Sequence, residues 1–530
     1  MKLNRYLPII FTLMPTYMLA QGAVDVFKMS QNELRGTARF MSMGGAFGAL
    51  GGDITTLDQN PAGIGVYRSS DLGVTVDFDG QSTKANGITS NQLKVTCNNV
   101  GYVGAMRLDS EVMPNINWGI TYSRPVSFNR HYAGRVSQLQ SSLTNYIADY
   151  TNSEGWAKSD IGYGSSSNKY NPYFDSSAPW MSILAYNSYL INSDGDKFKG
   201  LFQPGTSGYG EFEVDETGGV NQFNLNFGGN IANIVYWGAG FGITDLDYRT
   251  RTYYGESLQN AAIAEFVDKK ETGKTINGDA NYGLTSDLHT FGSGWNFKMG
   301  VIVKPINELR FGFAFHTPTY YSLKDESKTY TGASFTPLTN GATEFSSNDY
   351  TEVGESWYKI RTPWRYIASA AAVVGGKGIL SFDYERQDYE GIEYRSDAGV
   401  VDVTTKSNIK AYYKAVDIFR VGAEYRVTNQ FSVRAGYSYQ TSPVKERAYN
   451  GGEEIYCSST MPAYTFDKST QYITCGLGYR YNWFYADIAY VHKTRKGEYC
   501  AFSQGAGLQA TTAELTDNSN RVAVTLGVRF

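Results

Sequence analysis

Residues 38–67 read ARFMSMGGAFGALGGDITTLDQNPAGIGVY, and no other part of this 530-residue chain resembles them. Glycines interrupt the apolar run at Gly44, Gly45, Gly48, Gly51 and Gly52. Because glycine lets a backbone bend where bulkier residues cannot follow, one regular helix or strand is not expected here. The rest of the chain is a long series of short alternating segments that ends on the aromatic Phe530. This order is typical of an outer-membrane β-barrel with an N-terminal plug, and we expect residues 21–70 to form that plug, here called the hatch.

The last segment, residues 521–530, shows the alternation most clearly. One side carries Val522, Val524, Leu526, Val528 and Phe530, and the other carries Ala523, Thr525, Gly527 and Arg529. A period of two indicates a strand with a lipid-facing side and a lumen-facing side. The same pattern recurs upstream, in hairpins such as the one that turns at Asn482 and Trp483, and counting gives about fourteen strands, an even number as in single-chain bacterial barrels. We therefore predict an all-β fold, a membrane-spanning antiparallel β-barrel over residues 71–530.

The composition agrees with a barrel. Aromatic residues make up 15% of the chain and the mean hydropathy is −0.36, so no spanning helix is supported after the first residues. The net charge of −4 offers no basic face for nucleic acid. No Pro/Ser-rich linker or charge run marks a domain boundary, which favours one large closed sheet.

Residues 1–20 have the order of a secretory signal. Lys2 and Arg5 precede a mostly apolar run at residues 7–19, and the small Ala20 follows. The run is too short to span a membrane as a helix, so cleavage after Ala20 is expected, with an uncleaved anchor as the alternative. A terminal Phe530 on a strand resembles the outer-membrane insertion signal. Together these features predict the outer membrane of a Gram-negative bacterium, with its lipids and the barrel-assembly machinery as partners.

Residues 126–220 are the largest predicted extracellular loop. Both chain ends are expected on the periplasmic side, with short turns there and long loops outside. A loop of this length should carry its own structure. Helical spacing of apolar residues predicts one helix within 136–150, a second that begins at Pro179, and a third at 258–267 in another loop. These helices either pack on each other as a lid or expose a groove for an apolar ligand, in which case Trp180, Ile183 and Leu184 would bind it.

Residues for catalysis or metal binding are few. The four histidines lie far apart, and the sequence contains no HExxH, CxxC or GxSxG pattern. The spacing of Cys97, Cys457, Cys475 and Cys500 fits no zinc site, and Cys457 and Cys500 could form a disulfide or remain free thiols. We therefore predict no enzyme, no metal and no cofactor.

The glycine-rich segment is followed by Asp53 and then by Asn60-Pro61-Ala62-Gly63, just before the first predicted strand. Pro61 fixes its own backbone angle and keeps Asn60 out of the helical region, and Gly63 allows a turn. By itself the motif predicts a turn. Preceded by the glycine-rich apolar segment, it resembles the hatch of the FadL-type outer-membrane transporters, which are channels for long-chain fatty acids and aromatic hydrocarbons.

The resemblance implies a monomeric fourteen-stranded barrel and passive transport of hydrophobic small molecules. Capture would occur between long loops, the hatch would rearrange, and the substrate would leave sideways near a kinked third strand. The third predicted strand, residues 116–124, contains Gly119 and ends at Pro125, where the missing backbone donor could break pairing. Gly119 and Pro125 are therefore the predicted lateral gate.

A fatty-acid carboxylate inside the lumen would need a cation as partner, because an unpaired buried charge is costly. The alternation points inward the side chains of Lys298, Arg310, Arg420, Arg434, Arg480 and Arg529. The last three and Arg310 lie near the periplasmic ends, where Glu424, Asp487 or the hatch could neutralise them. Lys298 and Arg420 lie farther from those ends and are predicted to contact the carboxylate.

Three other functions are known alternatives for a barrel: a porin, a lipase and a surface-binding protein. An open, water-filled porin would gain nothing from an apolar hatch of this length. A lipase-type barrel needs a Ser/His pair on the lipid face, and His492, at the lipid-facing end of its strand, has no identifiable serine partner. A surface-binding barrel would use the tyrosine-rich loops instead, and binding of an apolar ligand would separate it from a transporter.

Overall fold

The computed structural model describes residues 22–164, 169–449, 453–455, 461–503 and 511–530. The predicted signal at residues 1–20 and Cys457 lie outside these ranges. Within them, no helix combines the length and the apolar character needed to cross a membrane.

Most of the described chain is strand. The strands are β1 Asp71–Ala85, β2 Ile88–Arg107, β3 Asn115–Ser127, β4 Arg130–Val136, β5 Ile191–Asp194, β6 Lys197–Gly200, β7 Ser207–Ile231, β8 Val235–Val267, β9 Lys270–Val303, β10 Leu309–His316, β11 Tyr320–Pro337, β12 Phe345–Tyr350, β13 Gly354–Arg361, β14 Arg365–Val374, β15 Gly378–Asp388, β16 Glu393–Ser396, β17 Ala415–Arg426, β18 Phe431–Gln440, β19 Tyr464–Tyr481, β20 Phe484–Cys500 and β21 Thr512–Arg529.

The helices are short, and none of them forms part of the barrel wall. They are α1 Ala23–Met29, α2 Ala38–Ser42, α3 Thr56–Gln59, α4 Leu143–Ser153, α5 Lys158–Ile161, α6 Pro172–Asp175, α7 Trp180–Asn187, α8 Val403–Tyr412 and α9 Glu446–Tyr449, with 3₁₀ helices at Pro61–Val66 and Tyr389–Gly391.

The barrel closes where its first and last strands pair. β1 pairs with β2 on one side and with β21 on the other, in a register that runs from Asp71 opposite Arg529 to Ala85 opposite Leu515. In the described part of the chain, fourteen strands follow one another around this closed antiparallel wall: β1, β2, β3, β7, β8, β9, β10, β14, β15, β17, β18, β19, β20 and β21. The prediction of an antiparallel barrel of about fourteen strands is confirmed.

The alternation along each strand separates a lipid face from a lumen face. On β21, Val522 and Leu526 are 37% and 47% exposed, whereas Ala523 and Thr525 are buried. The same outward exposure of apolar side chains occurs on the other strands, for example at Phe313 and Ile473. A continuous apolar belt of this kind is stable only in a bilayer.

Three strands run far beyond the membrane. β7, β8 and β9 contain 25, 33 and 34 residues, whereas a tilted strand needs roughly 10 residues to cross the hydrocarbon core. Their far ends form the wall of a cap on the barrel. The predicted helix at residues 258–267 is therefore wrong: these residues belong to β8, and a register shift between Leu258 and Ala261 produces the helix-like spacing of their buried side chains.

The segment 126–220 contains the rest of the cap. β3 continues into it as far as Ser127, and β7 already begins at Ser207. Between them lie β4, the hairpin β5–β6 and the helices α4 to α7. Two of the predicted helices are present, although α4 begins only at Leu143 because Val136 belongs to β4.

Glu256 of β8 fixes the start of α4. Its side chain is buried and accepts hydrogen bonds from Leu143 N (3.0 Å), Ser142 Oγ (2.5 Å) and Tyr254 Oη (2.7 Å). A carboxylate at this position satisfies a free N–H group of the first helical turn and opposes the positive end of the helix dipole.

Replacing Glu256 by alanine is expected to loosen the cap. The substitution leaves the N–H group of Leu143 without an acceptor, at a cost of about 1–3 kcal/mol, whereas the hydroxyls of Ser142 and Tyr254 can still donate to Thr144 and Thr511. Hydrogen exchange of the α4 amides should therefore become at least fivefold faster. Glu211→Ala, which removes an exposed carboxylate from the neighbouring strand β7, serves as the control and should leave the exchange unchanged. Equal exchange in both variants would contradict the role given to Glu256.

Candidate functional site

The hatch lies inside the barrel. It consists of α1, α2, α3, the 3₁₀ helix Pro61–Val66 and the glycine-rich turns between them. Its apolar side chains, such as Met41, Met43 and Phe47, are fully buried and pack with Ala489 and Ala523 of the barrel wall. The hatch ends where Ser70 and Phe530 exchange two backbone hydrogen bonds, which joins it to the closing strands.

The motif Asn60-Pro61-Ala62-Gly63 forms a turn that contacts the wall. Asn60 caps the 3₁₀ helix by accepting a hydrogen bond from Ala62 N (3.1 Å), and its Nδ2 donates to Gly48 O (2.6 Å). Two glycines of the wall make room for it, because a Cβ at Gly300 would overlap Asn60 Oδ1 and a Cβ at Gly238 would overlap Pro61 O. The motif thus links the glycine-rich segment of the hatch to β8 and β9.

A larger side chain at Gly300 is expected to displace this turn. Gly300→Val should destabilise the contact between hatch and wall by about 1–3 kcal/mol, the usual cost of overpacking. Amides of residues 61–66 should then exchange about tenfold faster. Gly332→Val on β11 is the control, because a Cβ at Gly332 meets no other atom within 4 Å. If residues 61–66 are equally protected in both proteins, the docking of the motif on β9 is wrong.

Buried ion pairs join the first part of the hatch to the wall. Glu33 pairs with Lys493 of β20 at 2.6 Å, and Arg35 pairs with Asp77 and Asp79 of β1 at 3.1 and 3.3 Å. Arg521 of β21 contacts the same two aspartates. Burial alone would raise the pKa of Glu33, but the positive charges of Lys493 and Arg35 outweigh it and hold that pKa well below its usual value of 4.5.

The docked hatch should consequently be sensitive to acid. A carboxyl group whose folded-state pKa is lowered stabilises the folded state above its unfolded pKa, and this contribution is lost as pH falls through the folded value. Protection of the amides near Glu33 from hydrogen exchange should therefore decrease below about pH 4. In Lys493→Gln the loss should begin at higher pH, and protection at neutral pH should already be weaker because one buried charge has lost its partner.

The matched control for Lys493→Gln is Lys496→Gln on the same strand, which should follow the wild-type pH profile. An unchanged profile in Lys493→Gln would show that Glu33 is not held by this pair.

A cavity of about 840 Å³, including its opening to solvent, lies between the hatch and the wall. Both predicted carboxylate ligands line it. Lys298 Nζ lies 3.3 Å from Asp58 of α3 and 3.0 Å from Asn224, and Arg420 pairs with Glu385 at 2.6 Å. The two cations that the strand alternation predicts as carboxylate ligands therefore line the same cavity, although each already has a carboxylate partner.

Several polar atoms of the cavity wall have no hydrogen-bond partner among the described residues. They are Gln59 Oε1, Asn98 Oδ1, Arg124 Nε and Arg420 Nη1, all buried. Buried polar atoms are rarely left unpaired, so the cavity is suited to a molecule, or to water, that carries hydrogen-bonding groups. The sequence analysis missed Gln59, Asn98 and Arg124. Asn98 points inward because of a register shift in β1–β2 near Thr75, which has no recognisable sequence signal.

The barrel wall is interrupted next to this cavity. The pairing of β2 with β3 ends at Asn99 opposite Ser123, and beyond it the register between β3 and β7 shifts between Ser123 and Val126. Pro125 lies in that shift, lines the cavity, and accepts a hydrogen bond from Glu33 N (3.1 Å). A proline cannot donate to the sheet, which explains the position of the break.

Gly119, the other predicted gate residue, lies in the paired part of β3. Its Cα faces the hatch, where a Cβ would lie 3.1 Å from Leu57 Cδ1 and 3.4 Å from Ile64 Cδ1. It therefore contacts the hatch and does not take part in the break at Pro125. The roles of both residues as a gate stay predictions.

Residues 220–520 match the model of a protein family described as outer membrane protein transport protein (OMPP1/FadL/TodX). The match covers more than half of the chain. This protein belongs to the FadL/TodX family. Members of the family are outer-membrane transport channels and not enzymes. No curated protein sequence matches the chain significantly.

Solved structures of FadL/TodX proteins are similar over nearly the whole chain. A FadL homologue from Pseudomonas aeruginosa has a TM-score of 0.51 at 12% identity and covers 94% of this chain and 99% of its own. The toluene transporter TodX of Pseudomonas putida has a TM-score of 0.43 at 10% identity, with 95% and 100% coverage. The toluene transporter TbuX of Ralstonia pickettii has a TM-score of 0.44 at 11% identity, also with 95% and 100% coverage. The likeness to the FadL homologue agrees with the barrel fold.

The cap of this FadL/TodX protein is a packed layer. Ile183 and Leu184 of α7 are fully buried, and Trp180 meets Tyr173 edge to face with ring centroids 5.4 Å apart. α7 also packs against α4. This arrangement corresponds to the lid, one of the two alternatives drawn from the sequence. None of the three residues lines the cavity beside the hatch, and their role in ligand binding stays a prediction.

Proposed function

We propose that this protein carries hydrophobic small molecules with an acidic group, long-chain fatty acids or similar compounds, passively across the outer membrane. The observation that carries the proposal is the cavity beside the hatch that reaches the break in the wall at Pro125. Membership of a family of transport channels supports it. Capture at the cap, rearrangement of the hatch and sideways release are the steps of the proposed mechanism.

The lining of the cavity fits a molecule with both an apolar and a charged part. Leu34, Phe40 and Ile418 supply apolar surface, and Lys298 and Arg420 supply positive charge. Arg420 is the more suitable carboxylate ligand, because its Nη1 is buried without a hydrogen-bond partner in the described structure while its Nη2 contacts Glu385. A carboxylate at Lys298 would have to compete with Asp58 of the hatch.

The route to this cavity follows the first part of the hatch. A second cavity shares Asn32, Pro125, Gln222, Lys298 and Arg365 with it and extends along Met29 to Gln31 toward β11 and the cap. Sideways release at Pro125 would require the hydrogen bond from Glu33 N to Pro125 O to open. Hatch movement and opening of the wall are therefore one event in this mechanism.

The charged lining distinguishes the proposed substrate from a plain hydrocarbon. TodX and TbuX are described as toluene transporters. Toluene offers no group for the unpaired polar atoms of this cavity, whereas a carboxylate can accept hydrogen bonds from Arg124 and Arg420. We therefore place a carboxylate-bearing lipophile first and an uncharged aromatic compound second.

The proposal also covers the organisation of the chain and its partners in the membrane. Residues 1–20 would be a cleaved secretory signal and residues 21–70 the hatch of a monomeric barrel formed by residues 71–530. Phe530 would be recognised by the barrel-assembly machinery, and the mature barrel would lie among outer-membrane lipids. No cofactor or energy source is required.

Binding of a radiolabelled long-chain fatty acid to the detergent-folded protein tests the proposal. Wild type should bind saturably. Arg420→Ala and Lys298→Ala should each bind about tenfold more weakly, because a hydrogen bond to a charged group contributes roughly 1.5–3 kcal/mol. Arg251→Ala, an exposed cation of β8 away from the cavity, is the control and should bind as wild type.

Other outcomes separate the parts of the proposal. Saturable binding that neither substitution weakens would keep transport and discard the two cations as ligands. Saturable binding of toluene without binding of the fatty acid would favour the uncharged aromatic compound. If nothing apolar binds while reconstituted protein passes small sugars freely, the barrel is a porin and the proposal fails.

A further inference from the structure

A third cavity, separate from the two described above, lies under the hatch, at the end of the barrel where both chain ends meet. It encloses about 1300 Å³, including its opening to solvent, and the hatch turn at residues 50–54 forms its roof. We call this space the vestibule. Its walls carry six arginines and three carboxylates: Arg39, Arg310, Arg426, Arg434, Arg480, Arg529, Asp53, Glu424 and Asp487. The vestibule is thus strongly positive.

Half of these arginines are neutralised by acidic partners. Glu424 pairs with Arg39 at 2.9 Å and with Arg434 at 2.5 Å, and Asp487 pairs with Arg434 at 2.5 Å. Arg529 pairs at 2.9 Å with Asp71, a buried residue behind the vestibule wall.

Arg310, Arg426 and Arg480 form no ion pair with any described residue. Arg310 Nε is buried and has no hydrogen-bond partner there, while Arg426 and Arg480 are exposed to the vestibule. These three guanidinium groups line one cavity without an ion-pair partner, and an anion between them would supply the missing negative charge.

Arginines of the vestibule also hold the roof. Arg310 Nη1 donates to Leu50 O (2.9 Å), and Arg529 Nη2 donates to Gly52 O (3.0 Å). The turn between these carbonyls depends on Gly51 and Gly52, whose φ angles are +66° and +69°. A guanidinium group binds an oxyanion more strongly than it binds a neutral carbonyl, so an anion in the vestibule competes with the hatch for these donors.

We propose that the vestibule is a binding site for an oxyanion, a carboxylate or a phosphate, held by Arg310, Arg426 and Arg480. The arginines of the vestibule would repel a cation, and an uncharged hydrocarbon has no group that could accept their hydrogen bonds. Occupation of the site draws Arg310 away from Leu50 O and loosens the turn at residues 50–52, so the site connects the solution at this end of the barrel to the hatch. The inference holds whatever molecule crosses the barrel.

Equilibrium dialysis of the detergent-folded full chain tests the site with two probes, radiolabelled inorganic phosphate and radiolabelled octanoate, and with octanol as the uncharged comparison. The test variant is Arg426→Gln/Arg480→Gln, which removes two exposed arginines that form no ion pair with the described part of the hatch. Arg107→Gln, an exposed arginine at the same end of the barrel but outside the vestibule lining, is the matched control.

At least one of the two anions should bind to wild type and to Arg107→Gln, and at least tenfold more weakly to the double variant. Binding of phosphate identifies a free oxyanion as the occupant, and binding of octanoate without phosphate or octanol identifies the head group of a lipophilic acid. The bound anion should also speed hydrogen exchange at residues 51–53 severalfold. The proposal is overturned if neither anion binds at millimolar concentration, or if the double variant binds as wild type does.

Discussion

The ion pairs between Arg35, Arg521, Asp77 and Asp79 are the interaction on which the rest of this structure depends. Asp77 and Asp79 belong to the first barrel strand, Arg521 belongs to the last, and Arg35 comes from the hatch. All four side chains are almost fully buried. Without Arg35 the seam of the barrel would carry one uncompensated negative charge, which is costly away from water. The same four side chains therefore stabilise both the closure of the wall and the docking of the hatch.

This arrangement separates two tasks that a membrane barrel has to combine. The outer face is kept apolar by the strand alternation and needs no specific partner in lipid. The inner face is charged, and many of its charges depend on a partner from another element of the fold, such as Lys298 with Asp58 or Arg420 with Glu385. If the hatch moves, these lumen charges must therefore exchange one partner for another. The polar atoms without a hydrogen-bond partner in the cavity lined by Pro125 have fewer existing hydrogen bonds to lose in such an exchange.

Local patterns in the sequence predict the wall, because a period of two along RVAVTLGVRF specifies a strand and its two faces whatever lies beside it. The hatch was predictable as well, from glycines that need positive φ and from Asn60-Pro61. The partners were not: the pairing of Lys298 with Asp58 is set by the docking of α3, and Asn98 faces inward only because of a shift in register. The wrong prediction of a helix at residues 258–267 also has a cause outside the local pattern. This part of β8 is bulged and buried in the cap, so it has no lipid face and its apolar residues do not repeat with a period of two.

The length of β8 and β9 has a consequence for the capture step of the proposed mechanism. At about 3.4 Å per residue, the 33 residues of β8 extend about 110 Å along the strand, whereas the hydrocarbon core of a bilayer is about 30 Å thick. Even a strongly tilted strand of this length carries the cap tens of ångströms above the lipid head groups. If capture occurs at the cap, as proposed, a compound already dissolved in the bilayer would not meet it, and the cap would serve molecules that arrive through water, singly or on a carrier. Under that mechanism, the length of one hairpin would make dispersal in water, ahead of affinity for lipid, the first property for which this barrel selects a substrate.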